Sequence, residues 1–156
     1  MKPVTVEIEV PQRREEIFDF LDVLGNHQTF TDHLLVDWWL DGPERGVGAH
    51  ARMFVKGPRL TEDLLDMEVV EAKRPVSTTE ESVSAGGRRH TRGTYLLEDI
   101  PAYGTRISFR FEWLEAPLIE RIAAPLTRAV IRRANAKSLH RLAETLSSNG
   151  NGKEHR

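Results

Sequence analysis

The residues able to do chemistry are few in kind. Six histidines stand at 27, 33, 50, 90, 140 and 155, and cysteine is absent. No pair of histidines forms a His-Glu-x-x-His helix or an i, i+4 ligand pair, so no metal centre is expected. Without cysteine there are no thiol nucleophiles, thiolate sites or disulfides, and a reducing, cytoplasmic setting is the natural expectation. Gly-x-Ser-x-Gly does not occur. The glycines at 42, 46 and 48 precede a strand-like run rather than a helix, so no helix N-terminus is offered to a phosphate and no nucleotide cofactor is expected. His27 and His33 fall near a short second helix, where they read either as exposed loop residues or as gating and proton-transfer groups.

Strand parity sharpens the search, because a polar side chain on an apolar row must find a partner or a ligand. Tyr95 and Leu97 share their row with Arg89, Thr91 and Gly93. Leu65, Met67 and Val69 share theirs with Thr61 and Asp63. Ala49, Ala51, Met53 and Val55 form another inward row, and Val36, Trp38 and Leu40 a further one, with Trp39 pointing out. Phe109 and Phe111 face the same way as Ile107 and Trp113. The candidate ligand-binding set is therefore Phe30, Trp38, Met53, Asp63, Met67, Arg89, Thr91, Tyr95, Phe109 and Phe111. In it Asp63 and Arg89 are the main polar fixtures and Phe30 stands at the mouth. Near a strand start and a hairpin tip, Asp63 and Arg89 could equally reach solvent. A bulge within residues 60–68 would swap the rows there.

The elements that must position these residues follow from the periods. Val4, Val6, Ile8 and Val10 alternate with polar residues as a half-buried strand, ended by Pro11. Ile17, Phe18, Leu21 and Leu24 then recur at helical spacing up to Gly25. HQTFTDHLL suggests a second short helix. Six strand-like runs follow, each bounded by turn residues, with Ala85-Gly86-Gly87 as a hairpin signal. From Ala116 to Ser147 the period is helical, with Leu118, Ile122, Leu126, Val130, Leu139, Leu142 and Leu146 near one face, and Pro125 should kink or divide it. Residues 148–156 have nothing to bury and are expected to be a disordered tail behind a single domain, 1–147. The fold class is α+β, a seven-stranded antiparallel sheet curled around a long C-terminal helix.

In this order the chain resembles the polyketide cyclase/dehydrase group of the START-related (SRPBCC) superfamily, which has the helix-grip fold. The opening VTVEIEVPQRREEIFDFLDV resembles its first strand and helix, and GPERGVGAHARM its glycine turn. VVEAKRPVS is similar to the fourth-strand end, GTYLLEDIPAYGTRISFRFEW to the last hairpin, and SLHRLAETL to the end of the long helix. These are fold markers covering roughly residues 3–147, and none is a catalytic motif. The resemblance implies a ligand cavity between sheet and helix. Its occupant would be a small hydrophobic molecule such as a lipid, quinone or polyketide, the alternative being a polyketide cyclase/dehydratase working in the same cavity.

Charge bears on partners. With 22 Lys+Arg against 24 Asp+Glu, a net charge of −2 gives no global field for nucleic acid. The distribution is uneven. Arg121, Arg128, Arg132, Arg133, Lys137 and Arg141 lie on the last helix against Glu120, while Glu62, Asp63, Asp66, Glu68, Glu71, Glu80 and Glu81 crowd residues 60–81. The basic helix reads as a solvated face that neutralises the acidic strands through space, or as a route to transient contact with an anionic membrane surface or an acidic partner. No run is long and apolar enough for a transmembrane segment, and the N-terminus lacks an apolar signal core.

Overall fold

The computed structural model describes residues 1–57 and 63–154, with side chains to residue 150. Seven strands form one antiparallel sheet: β1 (Val4–Val10), β2 (Leu35–Asp41), β3 (His50–Val55), β4 (Asp63–Lys73), β5 (Ser77–Ser84), β6 (Arg89–Ile100) and β7 (Gly104–Glu115). Their order is β1-β7-β6-β5-β4-β3-β2, so β2 to β7 meander and β1 closes onto β7. Between β1 and β2 lie α1 (Arg14–Asp22), a 3-10 turn (Leu24–His27) and α2 (Gln28–Thr31). The chain ends in α3 (Leu118–Ile122) and α4 (Ala124–Glu154), and the sheet curves around α4 in a helix-grip fold. Among the described residues no helix is long and apolar enough to cross a membrane.

The core has two parts. α4 lays Leu139, Leu142 and Leu146 onto Tyr95, Leu97, Ile107 and Phe109, with Ile17, Phe18 and Leu21 of α1 and Phe30 of α2 completing the cluster. Leu24, Ala49, Ala51, Met53, Met67 and Val69 form a second cluster toward β2–β4. α1 buries its i, i+1, i+4 residues and carries Glu15 and Glu16 in its first turn, where negative charge suits the helix dipole. The helical segment divides before Pro125, which then occupies the first turn of α4, where its missing N–H costs nothing.

Several sequence expectations need correction. β2 holds a register irregularity between Val36 and Trp39, with Asp37 at φ 57°. Leu35 is therefore opposite Val55 while Leu40 is opposite Ala51, and Val36, opposite Phe54, leaves the inward row that it was assigned. Asp63, Leu65, Met67 and Val69 stay in register as far as Val69, and the shift on β4 comes between Val69 and Glu71 rather than within 60–68. Thr61 and Glu62 lie outside the described residues. The apolar row expected along the last helix buries only its C-terminal half: Leu118, Ile122, Leu126 and Val130 are exposed. Finally, the helical period read as ending at Ser147 continues as α4 to Glu154.

Candidate functional site

The cavity between sheet and α4 is a product of side-chain size. The inward row of β5 is Thr78, Glu80, Ser82 and Ser84, where aliphatic residues would ordinarily stand. The hairpin through Ala85–Gly87 pairs Ser84 with Arg89, which sets Ser82 against Thr91, Glu80 against Gly93 and Thr78 against Tyr95. Small residues on two adjacent strands leave space that the larger side chains of β4, β7 and α4 enclose without filling. The space measures about 270 Å³. Leu65 and Met67 wall it on β4, Phe109, Phe111 and Trp113 on β7, and Ile131, Asn135, Ser138 and Leu139 on α4. Gly93 is required: a Cβ there would lie 2.7 Å from Phe109 Cζ and 3.4 Å from Glu80 Oε1.

Seven of the ten expected residues line this cavity: Asp63, Met67, Arg89, Thr91, Tyr95, Phe109 and Phe111. The other three do not. Phe30 is fully buried in the core, its ring centroid 5.2 Å from that of His27 and 6.4 Å from that of Tyr95, and so underlies the site rather than guarding a mouth. Met53 is fully buried in the second cluster, and Trp38 packs against that same cluster. The bulge leaves Leu35, not Trp38, to reach the cavity from β2.

Asp63 and Arg89 meet, but they satisfy one another. Arg89 Nη1 donates to Asp63 Oδ2 at 2.8 Å and Ser84 Oγ at 2.9 Å, and its Nε and Nη2 grip both carboxylate oxygens of Glu120 at 3.0 and 2.7 Å. This bidentate pairing spends the guanidinium on protein partners and ties α3 to β6 across the cavity end. Two acids face one base there.

The group that strand parity missed is Glu80. Counted only among the acids of residues 60–81, it lines the cavity with its side chain 11% exposed. Burial pushes its carboxyl up to about 8, so it is mainly uncharged at neutral pH. His27 Nδ1 lies 3.6 Å from Glu80 Oε2. His27 is buried as well, and desolvation drives it down to about 4 against the opposing effect of its bond to Leu21. A carbonyl oxygen can only accept, so Nε2 carries the proton toward Leu21 O at 2.7 Å and Nδ1 presents a lone pair to Glu80. The Tyr95 phenol is held well above its ordinary range by burial, reinforced by Glu80. The signal that could have found Glu80 is the hairpin register: with Ala85–Arg88 as the loop, Ser84 pairs with Arg89 and Glu80 with Gly93 on the Tyr95 face, whereas a loop one residue shorter would have paired Glu80 with Arg92.

On the opposite wall Asn135 is 7% exposed, and its Nδ2 has no hydrogen-bond partner among the described residues. A buried donor left unmade costs roughly 1–3 kcal/mol, so a ligand acceptor placed there would be bound strongly. His33 lies outside the cavity, half-buried against α4 near Ala134 O at 3.1 Å, Ser138 and Arg141, and Arg141 pairs in turn with Asp32.

No protein-family model matches the sequence, and no curated protein does. Solved structures do match. TTHA0849 from Thermus thermophilus is 14% identical, with TM-score 0.74 over 95% of this chain and 99% of that one. DynU16, a protein of the dynemicin biosynthetic locus, is 17% identical, with TM-score 0.67 over 96% of this chain and 48% of its own. Norcoclaurine synthase from Thalictrum flavum is 16% identical, with TM-score 0.64 over 88% and 84%. The likeness is one of fold.

Proposed function

We propose that this chain is a START-related (SRPBCC) protein that binds a small hydrophobic molecule bearing oxygen acceptors, of the lipid, quinone or polyketide-like class, between its sheet and α4. The observation that carries this reading is the cavity itself, with aromatic and aliphatic walls and the unpartnered Asn135 amide buried in one of them. Apolar surface entering it gains roughly 25 cal/mol per Å², and a ligand oxygen at Asn135 Nδ2 would relieve the orphaned donor. An acidic ligand is disfavoured, because among the described residues the one guanidinium lining the cavity already holds two carboxylates. Native mass spectrometry of protein purified without denaturation tests the reading. A retained small molecule, or displaceable binding of N-phenyl-1-naphthylamine, supports it; failure of both would overturn it.

A second reading, catalysis of the cyclase/dehydratase kind in the same cavity, is favoured by Glu80, an ionisable group with cavity access and, among the described residues, no charged partner. That solved structures of like fold include a protein of an antibiotic biosynthetic locus and a synthase is in keeping with either reading. For exchange of the ligand, the surface next to the cavity suits an anionic lipid interface. Leu118, Ile119, Ile122, Leu126 and Val130 are exposed there beside Arg121, Arg132 and Arg133.

A further inference from the structure

We infer that Glu80 is a catalytic acid–base group that moves a proton at the carbon next to a ketone held in the cavity, while Asn135 binds the ketone oxygen. This rests on the ligand-binding reading above and adds a reaction to it.

Placement comes first. Glu80 projects from β5 and Asn135 from α4, so the two line opposite walls of one apolar chamber, with Tyr95, Phe109, Phe111 and Trp113 forming its aromatic side. A flat carbonyl compound seated against those rings has a carboxyl on one flank and an amide donor on the other. Of the ionisable groups that line the cavity among the described residues, Asp63, Arg89 and Glu120 are locked together, leaving Glu80 and the Tyr95 phenol. The phenol stays protonated across the usable pH range. Behind Glu80, from the 3-10 turn, His27 offers its Nδ1 lone pair, and its ring is held by Leu21 O and by edge contact with Tyr95 at 5.6 Å between centroids. His27 is thus a positioning residue for the Glu80 carboxyl.

The step is a tautomerisation and balances without a co-reactant. The Glu80 carboxylate takes the proton: the C–H bond breaks and an O–H bond forms on the carboxyl. The C–H electron pair becomes the C=C bond, and the carbonyl pair moves onto oxygen, where Asn135 Nδ2 donates to the developing charge. Glu80 then returns its proton to that oxygen, giving the enol, or to the carbon. A desolvated carboxylate is a stronger base than one in water, and a fixed donor in a dry site needs no reorganisation as charge develops. Enolisation of this kind is the first requirement for ring closure of a chain of ketones.

The test uses 2-tetralone, a bicyclic ketone, in D₂O, with proton NMR following loss of its C1 protons and saturation-transfer NMR following its binding. The wild-type protein should accelerate exchange, with a rate that rises with pH to a plateau and a midpoint near about 8, because the base must be ionised. His27, neutral above about 4, and Tyr95 contribute no titration in that window. Glu80→Gln should keep binding and lose ~100-fold or more of the rate. Asn135→Ala should lose ~100–1000-fold with the pH midpoint unchanged. Bound tetralone exchanging equally fast in wild type and Glu80→Gln would overturn the inference while leaving the binding function intact. Absence of tetralone binding to the wild type would remove the ketone class and the inference together.

Discussion

Glu80 spends the range from mild acid to neutrality as an uncharged acid in the folded chain, and this has a measurable thermodynamic sign. Its folded value near about 8 lies above the ordinary 4.5. Below the lower value both folded and unfolded states are protonated. Between the two the unfolded chain ionises and the folded chain does not, so stability falls as pH rises, by up to ~1.4 kcal/mol per pH unit, and levels off above the folded value. Glu80→Gln lacks this slope. Its melting temperature relative to wild type should climb between pH 5 and pH 8, and an advantage constant across that range would show that Glu80 is not held neutral. His27 has the opposite sign: lowered from 6.5 to about 4, it costs stability as pH falls below its ordinary value. At the cavity end, Arg89→Met would leave Asp63 and Glu120 facing one another without their cation. It should destabilise by ~1–3 kcal/mol, and proteolysis within α3 should accelerate as that short helix loses its tie to β6.

Among the elements, the β5–β6 pair decides whether a cavity exists. Gly93 is the point where Phe109 crosses the sheet face, and Gly93→Ala would place a methyl within 2.8 Å of two ring atoms. Moving that ring costs ~1–3 kcal/mol and drives it into the cavity. The expected result is a lower denaturant midpoint with weakened N-phenyl-1-naphthylamine binding, whereas unchanged binding would mean that Phe109 does not bound the ligand space. Gly104 is tighter still, since a Cβ there would approach Val10 O to 2.1 Å where β7 starts alongside the end of β1. At the far end of α4 the last buried anchor is Leu146, and Ser147, Ser148 and Asn149 are exposed. Deleting residues 148–156 should leave the melting temperature within about 2 °C of wild type, because the sequence of that segment holds no apolar side chain. A larger loss would show that the segment docks.

On the scale of the whole molecule, α4 does two jobs along its length. Its C-terminal half fills the sheet, while its N-terminal half, with α3, presents Leu118, Ile119, Ile122, Leu126 and Val130 to solvent. Apolar area beside exposed arginines favours partition onto an anionic surface, each basic group near it adding ~1 kcal/mol. Cosedimentation with phosphatidylglycerol vesicles but not phosphatidylcholine vesicles is expected, lost in an Ile119→Glu/Ile122→Glu double variant. Equal recovery with both lipids, or with neither, would remove the membrane reading.

The sequence by itself determined the element order and the fold, because period and turn chemistry are local properties that seven strands and an amphipathic helix display openly. Pro125 marked the division of the last helix, and the Arg89–Thr91–Gly93–Tyr95 row marked the cavity side of β6. Tertiary structure alone decided the rest. The Asp37 bulge gives no periodic signal and exchanges Val36 for Leu35. The exposed apolar stripe on α3 and α4 has the same helical spacing as a buried one, and only the reach of the curved sheet separates them. Arg89 and Asp63 read as ligand-seeking charges until Glu120, 31 residues from Arg89 in the chain, was brought against the guanidinium. Glu80 sat among six other acids in a stretch read only for its net charge; its burial follows from pairing across a hairpin. The physical reason is common to all four: alternation along a strand states which residues share a face, but which face is dry depends on what the rest of the chain lays over it.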